Sequence, residues 1–336
     1  MAEITSKVPL RLSLAGGGSD VEPFVSNHGG TVLALTIELY VLARLEVLPT
    51  TRVELNSIDS NFSQSIHPWS PDSELLENIL AACLKMIPSE QRQGFRITVN
   101  SPVPPRSGLG ASSAIILSVL SLIYTHLSIA FSKDSLAHDA YKVEREFLFI
   151  PGGCQDQYVC AHGGLKRYYF QSPYLCKIHE VENSNLFIRQ FEDSALLVWT
   201  GISRNSDLVL DDQISKNKTG QNVSSLMAQK KLVDLVQCHA SELKLERVAA
   251  GLSESWSIKR SSSEFVSSPL IDQVYQLGMG LGAYGGKLLG AGGGGFFLFL
   301  VPPELLSSAE QGFRSQGIET MRVKVDTEGV AIKVVE

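Results

Sequence analysis

Residues 104–114 read PPRSGLGASSA and run straight into the apolar stretch Ala111 to Leu127, which is interrupted by Ser112, Ser113, Ser118, Ser121, Thr125 and His126. The interruptions keep it short of the roughly 18 unbroken apolar residues a membrane span needs, so the stretch predicts a buried helix. A glycine loop opening such a helix aims free backbone N–H groups and the positive end of the helix dipole at one point, which suits a polyphosphate. Pro105, Arg106, Ser107, Gly108, Leu109, Gly110, Ala111, Ser112 and Ser113 are therefore candidate phosphate-binding residues. The hydroxyls of Ser112 and Ser113 add hydrogen bonds or a magnesium contact. A turn with a serine N-cap gives the same local pattern, so the rest of the chain has to decide.

Two further glycine clusters flank this loop in the sequence: Ala15-Gly16-Gly17-Gly18-Ser19-Asp20, and Gly285-Gly286-Lys287-Leu288-Leu289-Gly290-Ala291-Gly292-Gly293-Gly294-Gly295. Glycine costs backbone entropy, so clusters persist where positive φ or close backbone approach is required. The Walker A pattern is absent, because the one Gly-Lys pair, Gly286-Lys287, is followed by Leu288. Gly280, Gly282 and Gly285 match GxGxxG, but they follow a helical stretch rather than a strand, which excludes the dinucleotide reading.

Outward from these clusters, strands are predicted at Val8–Leu14, Thr31–Leu48, Arg52–Asn56, Phe95–Val99, Lys166–Phe170, Ala195–Thr200 and Phe296–Val301, with short closing strands near Met321–Val325 and Val330–Val335. Helices are predicted at Ser73–Ile87, at Lys133–Phe149 with a cap near Asp134, at Asn222–Ala249 and at Pro269–Met279. Ser261-Ser262-Ser263 and Ser267-Ser268 read as caps or a loop, and the residues after Phe170, as far as Asp193, read as a polar stretch. The class is α+β, and 336 residues, about twice a usual domain, predict two domains, 1–185 and 186–336.

With 35 acidic and 29 basic residues the chain carries a net charge of −6, and no basic field marks it for nucleic acid. The five cysteines, Cys83, Cys154, Cys160, Cys176 and Cys238, have no CxxC or paired metal spacing, which predicts reduced thiols in a cytoplasmic protein. The first residues reach glycine before they supply a signal-peptide core, and no membrane association is expected. The histidines show no ligand spacing, so no zinc is expected.

Taken in order, the three glycine segments resemble the three motifs of the GHMP small-molecule kinases, the superfamily of galactokinase, homoserine kinase, mevalonate kinase and phosphomevalonate kinase. PPRSGLGASSA is similar to that family's P-x-x-x-G-L-G-x-S-S-[AG] ATP loop, and KLLGAGGGG to its third motif. The resemblance implies an N-terminal domain like ribosomal protein S5 domain 2, a ferredoxin-like C-terminal domain, and ATP with Mg2+ between them. PLRLSLAGGGSDVEPF, GGCQDQYVCAHGG, TGISR and KLLGAGGGGFFLF resemble the branch that phosphorylates D-glycero-D-manno-heptose 7-phosphate at its anomeric carbon. In that branch the product feeds GDP-heptose synthesis for bacterial surface polysaccharide. Kinases of unphosphorylated sugars such as fucose are near relatives and stay open as the alternative, as does a non-catalytic sugar or nucleotide sensor on the same scaffold.

The resemblance also implies roles. Asp156, in Gly152-Gly153-Cys154-Gln155-Asp156-Gln157, matches the aspartate of the galactokinase G-x-x-D-Q motif and is the candidate base, and Arg11 matches the arginine that pairs with it. Asp20 matches the aspartate that contacts sugar hydroxyls, with Gly17, Gly18, Ser19, Gly153, Gly292 and Gly293 as further substrate-side candidates. Glu144 is the candidate magnesium ligand beside Ser112 and Ser113, with Glu146 as its competitor; about 200° apart on a helix, only one of them faces the loop. A sugar phosphate needs charge-assisted contacts, for which Arg204 and Lys259-Arg260 are the candidates. Oligomeric state is left open by these motifs.

Overall fold

The computed structural model describes residues 3–48, 53–57, 73–87, 94–104, 106–202 and 206–335. Strands β1 (Glu3–Ala15), β2 (Gly30–Val47), β3 (Val53–Ser57), β4 (Phe95–Asn100), β5 (Lys166–Ser172) and β6 (Leu175–Glu180) form one sheet, and β7 (Ala195–Trp199), β8 (Gly285–Leu288), β9 (Phe296–Leu300) and β10 (Thr320–Arg322) form another. The chain then returns to the first sheet with β11 (Val325–Asp326) and β12 (Ala331–Val335). The helices are α1 (Phe24–His28), α2 (Ser73–Lys85), α3 (Ala111–His126), α4 (Lys133–Lys142), α5 (Gln155–His162), α6 (Ser184–Glu192), α7 (Ser206–Thr219), α8 (Val223–Ser241), α9 (Leu245–Ser262), α10 (Pro269–Gly280) and α11 (Leu306–Ser315), with a π-helical turn at Val143–Phe147.

The 18-residue β2, rich in β-branched and aliphatic side chains, organises the first sheet. Along one edge it pairs antiparallel with β1, from Glu46 opposite Glu3 to Leu33 opposite Ala15. Along the other it meets β5 through Gly30–Ala34, β11 through Thr36 and Ile37, and β4 through Leu42–Val47. The second sheet runs β10-β7-β9-β8, all antiparallel.

The run behind the glycine loop is the helix its composition predicts: α3 is buried from Ala111 to Tyr124 except at Ser112. Its serines survive burial because they are bonded, Ser118 Oγ to Ser6 Oγ at 3.1 Å and Ser121 Oγ to the Ser118 carbonyl at 2.9 Å. α3 packs on β1 and β2, while Leu232, Val233 and Val236 of α8 and Val248, Ala249 and Leu252 of α9 join the same core from the far half of the chain. A second core, around Phe297, Phe299, Trp256 and Phe313, fills the other sheet and its helices.

Some expectations need correction. The helix expected over Asn222–Ala249 breaks where Leu243 takes φ 59, a left-handed turn; α9 then runs on through Ser261 and Ser262 instead of leaving them as a loop. Ser268 does cap α10. The stretch read as polar before Asp193 holds β6 and α6, because Phe187 and Phe191, four apart, bury one helix face. Ser132, not Asp134, caps α4, with Ser135 reciprocating, and Asp134 lies in the first turn. β11 and β12 belong to the first sheet, so a cut at residue 185 does not separate the two sheets.

Candidate active site

Arg11 sits on β1 with 5% of its side chain exposed, too deep for a charge without a partner. The first turn of α5 supplies one: Asp156 Oδ1 accepts from Arg11 Nε at 2.8 Å and Oδ2 from Nη2 at 2.5 Å, a bidentate pair. The remaining nitrogen donates to the Gly108 carbonyl at 2.5 Å, and the Arg11 backbone N–H to the Leu109 carbonyl at 3.0 Å. Burial alone would lower the Arg11 pKa; the charge and hydrogen bonds of Asp156 reverse that and raise it. The strand, the glycine loop and α5 are thus tied at one guanidinium.

Gly110 caps α3 in the left-handed region, φ 78, and a Cβ there would lie 3.1 Å from Arg11 Cγ and 3.5 Å from Asp156 Oδ2. Behind the loop the third glycine cluster closes in: a Cβ on Gly290 would lie 2.5 Å from the Gly108 Cα, and Phe296 N–H donates to the Ser107 carbonyl at 3.1 Å. The hydroxyls of Ser112 and Ser113 each donate to Glu144 at 2.7 Å, one to Oε1 and one to Oε2. Gln157 Nε2 also donates to Glu144, and Arg145 lies 3.5 Å from it. Glu144 is 2% exposed, whereas Glu146 is exposed and accepts from the Tyr174 hydroxyl, so the turn at Val143–Phe147 settles which of the two meets the loop.

Asp20 is 1% exposed and accepts from the backbone N–H of Gly18 at 3.1 Å and from Gln155 through its backbone at 3.0 Å and its side chain at 3.1 Å. Burial pushes its carboxyl up from the ordinary aspartate value. Gly153 leaves room for this carboxylate, since a Cβ there would fall 1.9 Å from Asp20 Oδ2 and displace it.

These groups surround a cavity of ≈ 580 Å³, a volume suited to small-molecule ligands. Arg11, Asp156, Glu144 and Ser112 line it, as do Arg106, Ser107, Gly108, Gly110 and Ala111 of the loop, and Gly17, Gly18, Gly153, Gly292 and Lys259. Among the described residues, Ser13, Ser107, Arg145 and Gln155 of its wall carry buried polar atoms without a hydrogen-bond partner, as a binding site for a polar ligand would leave them.

Not every expected residue faces this space. Leu109 packs inward, Ser113 stands behind Ser112 on Glu144, and Gly293 donates its N–H to the Val266 carbonyl. Ser19 ties the loop to β2, donating to the Gly16 and Thr31 carbonyls, and Asp20 stands behind Gln155 rather than on the wall. Arg260 turns away to the surface and pairs with Asp272, which removes it from a cationic cluster with its neighbour Lys259. Pro105 and Arg204 lie outside the described residues. Lys287, in contrast, has no role assigned by the motifs: all of β8 is buried, and its lysine reaches the cavity wall.

A GHMP kinases N terminal domain model matches residues 75–164, and a GHMP kinases C terminal model matches residues 240–319. The D-glycero-alpha-D-manno-heptose 7-phosphate kinase of Campylobacter jejuni is 28% identical over 342 residues, which cover 96% of this chain and 100% of that protein. L-fucokinase/L-fucose-1-P guanylyltransferase of Bacteroides fragilis is 25% identical over 338 residues, covering 89% of this chain and 34% of that longer protein. The crystal structure of a D-glycero-D-manno-heptose 1-phosphate kinase from Bacteroides thetaiotaomicron shares the fold, with a TM-score of 0.78 at 24% identity over 99% of each chain. With the N-terminal and C-terminal models matched in order on the two sides of one cavity, the chain belongs to the GHMP kinases, a family of small-molecule phosphotransferases.

Proposed function

We propose that this chain transfers the γ-phosphoryl group of ATP to the anomeric C1 hydroxyl of D-glycero-D-manno-heptose 7-phosphate. The bidentate pair of buried Arg11 with half-buried Asp156 beside the α3 N-terminus carries the reading, in a chain similar over nearly its whole length to a heptose 7-phosphate kinase. Phosphoryl transfer is mostly positioning and charge stabilisation. In this reading the first-turn N–H groups of α3 and the loop Arg106–Ser113 hold the donor phosphates, and Asp156 orients the acceptor hydroxyl and takes its proton as the new O–P bond forms and the bond to the ADP oxygen breaks. Arg11 orients Asp156 through its two hydrogen bonds and offsets charge gathering on the transferred group. Gly17, Gly18, Gly153, Gly292 and Gln155, oriented by Asp20, shape the sugar side.

The hard oxygens of Glu144 and Ser112 suit Mg2+, and Ser113 and Gln157 hold the carboxylate for it. When bound, the ion neutralises the donor's phosphate oxygens. Free thiols at all five cysteines fit a reducing compartment, the cytoplasm, and the heptose 1,7-bisphosphate product fits a supply to GDP-heptose synthesis.

The test is ADP release with Mg-ATP over D-glycero-D-manno-heptose 7-phosphate, mannose 6-phosphate, mannose, fucose, galactose and mevalonate. Turnover confined to the heptose phosphate is the expected result. Turnover of a free sugar would replace the acceptor, as the likeness to an L-fucokinase segment favours, and silence across the panel despite ATP binding would replace catalysis with sensing.

A further inference from the structure

The acids lining the cavity, Asp156 and Glu144, are engaged by Arg11 and by the α3 serines, yet two lysines from the second half of the chain also line it. Lys287 on β8 is 4% exposed, and among the described residues its ammonium donates only to neutral oxygens, the Leu14 carbonyl at 3.2 Å and Ser255 Oγ at 3.3 Å. Lys259, one turn beyond Ser255 on α9, donates to the Gly290 carbonyl. Among the described residues neither lysine has a carboxylate in ion-pair reach. Next to Leu14 on β1 is Ser13, 6% exposed, whose hydroxyl faces the same cavity without a partner.

Buried cations are tolerated when paired, and these are set beside each other and beside Arg11 instead. Burial lowers the Lys287 pKa to about 7, with the Arg11 charge adding to the shift. Burial and the charges of Lys287 and Arg11 likewise hold Lys259 well below an ordinary lysine. Such a cluster lacks an anion, and an entering phosphate would both pair the lysines and give the Ser13 hydroxyl an acceptor.

We infer that Lys259, Lys287 and Ser13 form an anion subsite that receives the phosphate monoester of the acceptor, so that this wall sets the preference for a phosphorylated sugar. The inference rests on the kinase reading above. Its chemistry also fits the donor's γ-phosphate, so the experiment separates the two sources.

Lys259→Met and Lys287→Met are compared with the unmodified protein in three assays: KM for heptose 7-phosphate against the same heptose without phosphate, Kd for Mg-ATP, and the rise in Tm on adding inorganic phosphate. We expect the ratio of kcat/KM values, phosphorylated over unphosphorylated, to fall roughly 100-fold in each variant, with Mg-ATP affinity within about threefold, as loss of a charge-assisted contact to one ligand would give. A loss carried by Mg-ATP affinity would overturn the acceptor assignment. An unchanged ratio would overturn the subsite. Should the unmodified protein fail to turn over heptose 7-phosphate, the functional reading falls separately, and a phosphate-induced Tm rise that both variants lose would still uphold the subsite; no rise in the unmodified protein would overturn it.

Discussion

Asp156 differs from an ordinary turn aspartate in what surrounds it. A glycine-preceded aspartate at a helix start is ordinarily a solvated turn residue, but here it shares two hydrogen bonds with an arginine that strand β1 carries into the interior. Asp156→Asn keeps the shape and removes the base, so turnover should drop at least about 100-fold while Mg-ATP affinity stays within a few fold; single-turnover rates and nucleotide titration check this, and near-normal turnover would remove Asp156 from the chemistry. Lys287 makes the opposite prediction, for stability. Its pKa is lowered to about 7 in the fold against about 10.4 unfolded. Between those values the unfolded chain binds the extra proton, so the folded state is penalised fully below pH 7 and recovers as pH rises through the window. Lys287→Met should raise Tm by about 2 to 5 °C at pH 6.5, with the gain shrinking towards pH 10; calorimetry across pH reads it, and a gain that grows with pH would contradict it.

The start of α3 combines three requirements that no single residue meets: a left-handed cap, a close approach to Arg11, and hydroxyls aimed at Glu144. Gly110→Val strains the cap and pushes a branched side chain at Arg11 Cγ, so Mg-ATP should bind at least about tenfold more weakly while circular dichroism still reports a folded protein. ATP binding at normal strength would sink the loop assignment. The π-helical turn at Val143–Phe147 contributes at the same scale, since it brings Glu144 inward and leaves Glu146 outside. Glu144→Gln should therefore raise the Mg2+ concentration needed for half-maximal turnover by about tenfold, read by metal titration, whereas Glu146→Gln should leave it unmoved.

At the level of the whole molecule, the cavity exists because the chain doubles back. α8 and α9, far along the sequence, pack into the first core, and Asp326 of β11 locks the return: its carbonyl accepts from Thr36 Oγ1 at 2.8 Å and from Gly164 N–H at 3.0 Å, and its carboxylate accepts from Gly329 N–H at 2.7 Å. A fragment ending at residue 185 would leave β1 and β2 without those partners, so it should show no cooperative thermal transition, while the full chain does; a sharp transition in the fragment would show that the first sheet stands alone.

Local pattern was enough for the elements around the loop. The glycine segments, the apolar run of α3, the alternating strand Val8–Leu14 and the continuous apolar strand Phe296–Val301 each announce themselves through φ requirements, side-chain period or strand-favouring composition, which act within a few residues. The motifs also named Arg11, Asp156 and the loop that the fold brings to one cavity. What only tertiary structure decided is partnership. Nothing local distinguishes Lys259, which turns inward, from Arg260, which turns out to Asp272, or shows that Lys287 ends beside Leu14, 273 positions away. Burial and electrostatic pairing depend on groups that are near in space and remote in sequence, and so they emerge only when both sheets and their helices close around the same volume.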